Sequence, residues 1–262
     1  MNGDLAMTVQ VPVEEVIAVR LATIRVSAWL AVAPPFNTRA IPGMVKVAIA
    51  LALSMAIGPG LAPQAPPPEL FPILTSVLFQ VVVGLSLGFL AQMLFSAIQA
   101  AGELIDLSSG FTLASLYDPV SNVSVSMFGR VNQLVAVTLL FATNGHLLLL
   151  RGFMKSYDAL PMQPVSIAVL TRTVTANVGT FFVAAVEIAA PVLVVLFLAD
   201  LALGLVSRAV PSLNIFVLSF PVKILLTLSL ASVAVALLPG ALSSILDHII
   251  AAFGAAAQGL GV

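Results

Sequence analysis

The chain of 262 residues is 60% hydrophobic and 8% charged, with a mean hydropathy of +1.16, which predicts an integral membrane protein and argues against a soluble domain. Its net charge of −1 and the lack of a basic block argue against nucleic acid as a partner, because phosphate is bound through clustered cations. The chain has no cysteine and two histidines, which excludes disulfides and thiolate ligands and argues against a metal centre or a bound cofactor.

The N-terminal third contains two candidate membrane spans, since about 20 apolar residues are needed to cross roughly 30 Å of hydrocarbon. The first, Val16 to Phe36, carries Arg20 and Arg25 within it. The second runs from Val45 to about Ile57 and leads into a proline-rich connector, residues 62–68. We expect the connector to be extended, because its prolines cannot continue a helix.

The middle of the chain contains one segment that is too long for a simple span. No charge lies between Glu69 and Glu103, and a single helix there would be about 50 Å long, so it must tilt, break or protrude. From Gly102 to Arg130 the composition becomes polar and glycine-rich, which predicts a loop. Val131 to Leu150, flanked by arginines, is predicted to be the next span.

The C-terminal third predicts a helical hairpin with kinks. Thr173 to Val206 is interrupted by Glu187 and Asp200, and Pro211 to Leu238 is interrupted by Pro221 and Lys223. The last stretch, Ala241 to Val262, is predicted to lie on or just within the membrane interface.

Positive charge does not follow a simple alternation of spans. With the N-terminus outside, the link carrying Arg151, Lys155 and Arg172 falls outside as well, against the tendency of Lys and Arg to stay inside. Charges within spans and one overlong span add to this departure. Together they indicate helices that pack on other protein more than on lipid.

The segment Gly84-Leu85-Ser86-Leu87-Gly88 fits two patterns, the nucleophile motif of hydrolases and the close-packing motif of membrane helices. A nucleophile requires a turn from strand to helix, whereas this segment lies inside a long apolar run. We therefore predict that Gly84 and Gly88 are helix-packing residues.

Several charged residues are predicted to make polar contacts within the membrane. Glu103 and Asp106 are three residues apart, so they either handle protons as a pair or mark the end of the long helix, with Glu103 on a partner cation and Asp106 capping the next turn. Arginines in spans either pair with carboxylates or extend to the interface. The candidates are Arg20, Arg25, Glu103, Asp106, Glu187 and Asp200.

The segment from Gly110 to Pro119 begins with a glycine and ends with Asp118-Pro119. Such a segment suits a compact loop inserted within a membrane assembly, where it could occlude a pore. An ordinary re-entrant or interfacial segment fits the same residues.

Short segments in order along the chain together resemble one family, and the likeness runs from about residue 16 to about residue 240. Each segment is weak alone, but their order and spacing within an apolar frame are specific. They are Arg25 with Pro34-Pro35-Phe36, Arg39 to Pro42 before Lys46, Gln99 to Asp106, Gly110-Phe111, Asp118-Pro119, Asn144 to Leu147, and Pro211 with Asn214 to Phe216 before Phe220-Pro221. The chain resembles the FliR family, the flagellar export-gate proteins of type III secretion.

The resemblance implies an all-α membrane protein of long kinked helices and helical hairpins, with a FliP-like part, residues 1–172, followed by a FliQ-like hairpin and C-terminal segment, residues 173–262. In that family one subunit joins FliP and FliQ in a pore-enclosing helical hetero-oligomer, with FlhB beside it, in the inner membrane at the flagellar basal body. The implied function is a subunit of the gate that passes unfolded axial flagellar proteins across the membrane. The resemblance implies no enzyme activity and no cofactor, and membrane lipid is the other expected contact.

The resemblance also implies a plug loop over about residues 105–119, whose apolar side chains close the channel. In one departure, Leu113 stands where many relatives have a second phenylalanine, so less of the seal is expected from that position. Opening would require Phe111 and its neighbours to rearrange. The implied plug and gate residues are Gly110, Phe111, Leu113, Leu116, Asp118 and Pro119.

Three other functions remain open at the level of the sequence. A subunit of a virulence-type secretion system would export effectors and would not be needed for a flagellum. A small secondary transporter or proton channel would carry an ionisable site between inverted repeats, and no repeat is apparent. An intramembrane serine hydrolase would depend on Ser86.

Overall fold

In the computed structural model of the chain, residues 12–112, 126–162, 167–212 and 214–258 are described. Within these ranges the protein is built from α-helices with one short 3-10 turn, and no strand occurs in them. The prediction of an all-α protein is therefore confirmed. The helices are α1 (Val13–Val32), α2 (Gly43–Leu61), α3 (Leu70–Ser109), α4 (Met127–Ala142), α5 (Gly145–Ala159), α6 (Ile167–Ala209) and α7 (Ile215–Gln258), with the 3-10 turn at Ala62–Gln64.

Four helical segments of the described chain are long and apolar enough to cross a membrane. Helices α4 and α5 pass the same test only as a pair, and they are bent by 76° at the break between them. The prediction of a membrane protein is thus confirmed by helix length and composition. The four segments are Gly43–Gln64, Leu70–Ser109, Val174–Ala209 and Val217–Gly254.

The polar stretch from Gly102 to Arg130 was wrongly predicted to be a loop throughout. Helix α3 continues to Ser109, and α4 begins at Met127. Ala101 and Ile105 are buried one turn apart, so this end of α3 has an apolar face that packs even though its composition is polar.

The predicted span from Val131 to Leu150 is not one helix. Its first part ends with Ala142, and α5 starts at Gly145. Between them Asn144 has a φ of 56°, a left-handed conformation that stops an α-helix and that asparagine tolerates better than most residues. The flanking arginines marked the apolar stretch correctly but carried no information on this break.

Two prolines in α7 do not end the helix, which runs unbroken from Ile215 to Gln258 through Pro221 and Pro239. The predicted separate interfacial segment, Ala241 to Val262, was therefore wrong, because its described part belongs to α7. Likewise α2 passes through Pro59. Prolines are tolerated in apolar helices where neighbouring groups satisfy the freed backbone.

The chain forms two compact units. The first comprises residues 1–90, 153–172 and 253–262, and the second comprises residues 91–152 and 173–252. In the first unit α3 packs closely on α1 through two glycines. A methyl group on Gly84 would lie 2.5 Å from the carbonyl oxygen of Arg25, and one on Gly88 would lie 3.1 Å from that of Trp29. The absence of side chains lets the two helices approach.

Arg25 is the largest polar group buried in the first unit, at 0% exposure. Its Nε donates a hydrogen bond to Oε1 of Gln80. One Nη donates to the carbonyl oxygen of Ser156 at 3.3 Å, and the other donates to those of Leu160 and Pro161 at 2.8 and 3.2 Å. No carboxylate among the described residues pairs with it, so backbone dipoles at the end of α5 balance this charge.

Aromatic side chains complete the surroundings of Arg25. Its Cζ lies 4.2 Å from the ring centroid of Tyr157, a cation–π contact. The Tyr157 hydroxyl donates to the carbonyl oxygen of Ala22 at 3.1 Å. Trp29 stacks on Phe153 with 4.5 Å between ring centroids. The guanidinium is therefore held from several directions, which fixes α1 against the last turns of α5.

The core of the second unit brings α3, α4, α6 and α7 together. Its members are apolar and, apart from one phenylalanine, small or medium in size, which permits close helix packing. Phe111, at the end of the described part of that chain segment, packs partly buried against this cluster. The cluster comprises Ala101, Ile105, Phe128, Ala189, Val192, Leu196 and Ala234.

We expect Gly84→Ala to destabilise the protein, because its methyl group would meet the backbone of α1. Overpacking of this kind costs about 1–3 kcal/mol. Thermal unfolding of the tagged protein in mild detergent should show a lower midpoint. Gly179→Ala is the matched control, since nothing lies within 4 Å of the place that its methyl group would take. An unchanged midpoint for Gly84→Ala would contradict the close packing of α1 on α3.

Candidate functional site

The end of α3 is where the structure concentrates polar contacts in the second unit. After Ser109 the chain turns at Gly110, whose φ of +90° is unfavourable for any residue with a side chain. Phe111 follows and packs against Phe128 of α4, with 5.8 Å between ring centroids. The predicted plug loop thus starts after a helix that is five residues longer than expected, because Ile105 to Ser109 are helical.

Asp106 lies in the last turn of α3, where it binds the start of α4. Its Oδ2 accepts hydrogen bonds from the Ser126 hydroxyl and, at 2.9 Å, from the backbone N–H of Phe128. Ser126 is itself the N-cap of α4 and accepts from the N–H of Gly129 at 2.8 Å. A carboxylate at a helix N-terminus also interacts favourably with the helix dipole. Asp106 therefore caps a helix that begins about 20 residues further along the chain.

Helices α3 and α4 are in close backbone contact beside this carboxylate. A methyl group on Gly102 would overlap the backbone of Phe128 and Gly129. One turn further along α4, Asn132 donates from Nδ2 to the carbonyl oxygen of Ile98 at 3.4 Å. The two helices are thus joined by small residues and by polar contacts, the combination that is typical of membrane helix pairs.

Lys223 of α7 reaches the same end of α3. Its Nζ lies 2.6 Å from Oδ1 of Asp200 on α6 and donates to the carbonyl oxygen of Ser108 at 3.3 Å. Three residues before it, Phe220 lies where a side chain at Gly110 would be: a methyl group there would be 2.7 Å from its Cδ1. Lys223 and Phe220 therefore contact the end of α3 from one face of α7.

The other predicted polar residues lie apart from this site. Glu103 is exposed, and its Oε1 accepts from Nε2 of Gln99 at 2.9 Å. Glu187 is exposed on α6, and Arg20 is exposed on α1. Neither has a hydrogen bond or ion pair with another described residue. Glu103 and Asp106 therefore do not form a buried carboxyl pair, since only Asp106 is buried.

Four of the predicted plug residues lie outside the described residues. They are Leu113, Leu116, Asp118 and Pro119. Gly110 and Phe111 are the described members of that set.

Sequence reasoning missed two parts of this site. Ser126 was not singled out, although a serine directly before an apolar helical run is a typical N-cap signal. Lys223 was noted only as an interruption of an apolar stretch. Its pairing with Asp200 depends on the register of α6 against α7, which no short motif reveals.

The arrangement consists of packing contacts, hydrogen bonds and an ion pair, and it shows no centre for covalent chemistry among the described residues. Ser86 lies inside α3, away from any turn, so it lacks the geometry of a nucleophile elbow. In the described part of the chain no three His, Cys, Asp or Glu side chains are placed to hold a metal ion.

We expect Asp106→Asn to loosen the start of α4, because the carboxylate that binds the Phe128 N–H loses its charge. The Phe128 amide should exchange its hydrogen at least about tenfold faster, since hydrogen bonds to charged groups contribute about 1.5–3 kcal/mol. Hydrogen–deuterium exchange with mass spectrometry of the peptide spanning Ser126 to Arg130 measures this. Glu103→Gln is the control, because that side chain is exposed and its hydrogen bond is with Gln99 of the same helix, so the change removes no hydrogen bond to α4. Equal exchange in wild type and Asp106→Asn would contradict the capping role.

Comparison with known proteins extends over nearly the whole chain. Residues 16–249 match the model of a family described as bacterial export proteins, family 1. The flagellar biosynthetic protein FliR of Escherichia coli (strain K12) is 32% identical over 79% of this chain and 80% of its own length. FliR of Bacillus subtilis (strain 168) is 31% identical over 78% of this chain and 80% of its own. The Yop proteins translocation protein T of Yersinia pestis is 34% identical, over 55% of this chain and 56% of its own.

The family match confirms the resemblance that the short motifs indicated. It covers most of α1, all of α2 to α6 and most of α7, so it includes the greater part of both compact units and the polar contacts at the end of α3. The chain therefore belongs to the FliR family of bacterial export proteins.

Proposed function

We propose that the chain is a subunit of the flagellar type III protein export gate, where it forms part of the channel that passes unfolded axial flagellar proteins across the inner membrane. The observation that carries the proposal is the match to FliR proteins over about four fifths of both chains. The role is structural, that of a gate component without catalytic chemistry.

Exposed apolar side chains on α6 and α7 support the proposal that the chain is part of a larger assembly. Large apolar residues stand exposed along α6 and α7, among them Phe182, Phe197, Leu205, Leu225 and Leu228. Exposed apolar surface on this scale marks contact with lipid or with other proteins. In a hetero-oligomer with FliP and FliQ, and with FlhB beside it, such faces would be covered by neighbouring helices and by membrane lipid.

The division into a FliP-like part, residues 1–172, and a FliQ-like part, residues 173–262, belongs to the same proposal. Helices α6 and α7 are both long and are joined by a short link near Pro211. An ion pair between Asp200 and Lys223 connects them. A pair of long helices with a short connection is the form that a FliQ-like hairpin requires.

Closure of the channel is assigned to the segment that starts at the end of α3. Gly110 provides the turn, and Phe111 is an apolar group beside it. A hydrophobic constriction closes a pore by excluding water and by steric blockage. The assignment extends through the family likeness to Leu113, Leu116, Asp118 and Pro119, which lie outside the described residues.

A virulence-type secretion system is the second candidate. A relative from Yersinia pestis, named as a translocation protein, matches at 34% identity. Its match covers 55% of this chain, against 79% for the flagellar relative from Escherichia coli, which favours the flagellar function.

Purification of a tagged copy from its own membranes tests the proposed function. In mild detergent the chain should co-purify with several copies of two other small hydrophobic proteins, measured by native mass spectrometry, and deletion of its gene should abolish flagella. A copy that elutes alone or as a homodimer would contradict the gate assignment. Loss of effector secretion with flagella intact would favour the virulence-type system.

Phe111→Ala should make the resting gate leak, because it removes an aromatic ring from the start of the proposed plug. Conductance of the expressed gate complex in planar bilayers measures the leak. Phe71→Ala is the matched control, since that phenylalanine is 76% exposed at the start of α3, at the opposite end of that helix from Phe111. If the Phe111→Ala variant has the same conductance as wild type, the assignment of Phe111 to the plug is wrong.

A further inference from the structure

Lys223 occupies a position that is unfavourable for a cation unless its partners are fixed. It lies within the apolar segment Val217–Gly254, and its side chain is 17% exposed. A charged group in such surroundings must be paired and hydrogen-bonded to be tolerated. Asp200, at 2.6 Å, supplies the opposite charge, but its own side chain is 50% exposed. The ion pair is therefore well placed to orient the ammonium, while the hydrogen bond of Lys223 to Ser108 points it toward α3.

The second partner of Lys223 is the negative end of a helix. The carbonyl oxygen of Ser108 is one of the last four of α3, which lack partners within the helix. The C-terminal end of a helix also carries partial negative charge, which attracts a cation. A neighbouring carbonyl, that of Asp106, accepts from the Ser109 hydroxyl at 3.2 Å. Side chains thus bind two carbonyls of this helix end, and Lys223 does so from another element.

Contacts on the same face of α7 continue directly to Phe111. Phe220 lies against Gly110, and the next residue, Phe111, packs on Phe128 and on the apolar cluster that includes Val192 and Leu196 of α6. Helix α7 therefore contacts a carbonyl at the end of α3 and the turn at Gly110, and the hairpin α6–α7 supplies part of the apolar cluster against which Phe111 packs.

We propose that Lys223 is a positioning residue of the gate: by binding the end of α3 it holds Gly110 and Phe111 in the closed arrangement, and Asp200 acts by orienting the Lys223 ammonium. The inference rests on the proposed function, because it assigns Lys223 to the closure attributed to Phe111. It makes the hairpin part of the closing device, so a movement of α7 would be transmitted to Phe111 through a charged contact.

The test uses the complete gate complex, expressed with its natural partners in inner-membrane vesicles. Potassium efflux without export substrate is measured for each variant and divided by the amount of assembled complex on a native gel. Lys223→Met should raise efflux about tenfold, the change that about 1.4 kcal/mol of lost preference for the closed state produces. Lys223→Arg, which keeps the charge and the donors, should restore most of the closure.

Two further variants separate the ion pair from the contact with α3. Asp200→Asn leaves the ammonium and should give a smaller rise than Lys223→Met. The exchange of both residues, Asp200→Lys with Lys223→Asp, retains opposite charges but leaves no donor at position 223 for the Ser108 carbonyl, so efflux should remain high. Arg208→Met is the matched control, because Arg208 is an exposed cation near the end of the same helix as Asp200. It should not change efflux.

The proposal is overturned if assembled Lys223→Met complexes leak no more than wild type, if Lys223→Arg leaks as much as Lys223→Met, or if the charge exchange restores closure. If Lys223→Met does not assemble, a rise for Asp200→Asn above Arg208→Met supports the proposal, and equal efflux overturns it. Phe111→Ala distinguishes this failure from that of the plug: leakage there without leakage for Lys223→Met leaves the proposed function standing. Leakage for Lys223→Met alone would show that Lys223 does not act through Phe111.

Discussion

Polar groups inside long apolar helices set the constraint on which this structure depends. A hydroxyl, amide or charge without water costs several kcal/mol unless the protein supplies its partners. In the first unit, Arg25 meets this constraint with backbone carbonyls at the end of α5 and the ring of Tyr157. In the second unit, Asp106 and Lys223 meet it at the two sides of the end of α3. Each of these sets of contacts joins helices that are distant in sequence. The same hydrogen bonds therefore satisfy the buried polar groups and hold the helices together.

The three charges share one device, which is the use of helix termini as counter-charges. Arg25 and Lys223 bind carbonyls at or beside C-terminal ends, whereas Asp106 binds amides at the N-terminus of α4. This device suits a gate component, since a helix end offers a partial charge that is fixed in direction and needs no ionisable partner. Contacts of this kind bind the backbone itself. They link the end of α3, where the next segment starts, to the neighbouring helices α4 and α7.

The sequence predicted the membrane class, the helical hairpin and the close-packing glycines, because composition and spacing report on them directly. It failed where continuity depends on backbone hydrogen bonds: Pro221 predicted an interruption and a separate segment was predicted from Ala241, yet α7 runs through both positions. It also failed where partners are carbonyl groups, which every residue has. Nothing in the residue types identifies Leu160 or Ser108 as the acceptors for Arg25 and Lys223. Glu103 and Asp106 looked equivalent by spacing, and only tertiary packing separates the exposed one from the buried one.

The bend at Asn144 affects whether the number of membrane crossings is even or odd. If α4 and α5 enter and leave by one face, the described part of the chain crosses the membrane four times, through α2, α3, α6 and α7. The cations before α2 and those between α3 and α6 then lie on the same side of the membrane. Leaving aside the cations within α1 and α7, only Arg208 lies on the other side. The charge distribution that contradicts a serpentine of spans would thus obey the positive-inside rule. The 76° bend between α4 and α5 therefore determines on which side of the membrane the cations after it lie. These cations are Arg151, Lys155 and Arg172.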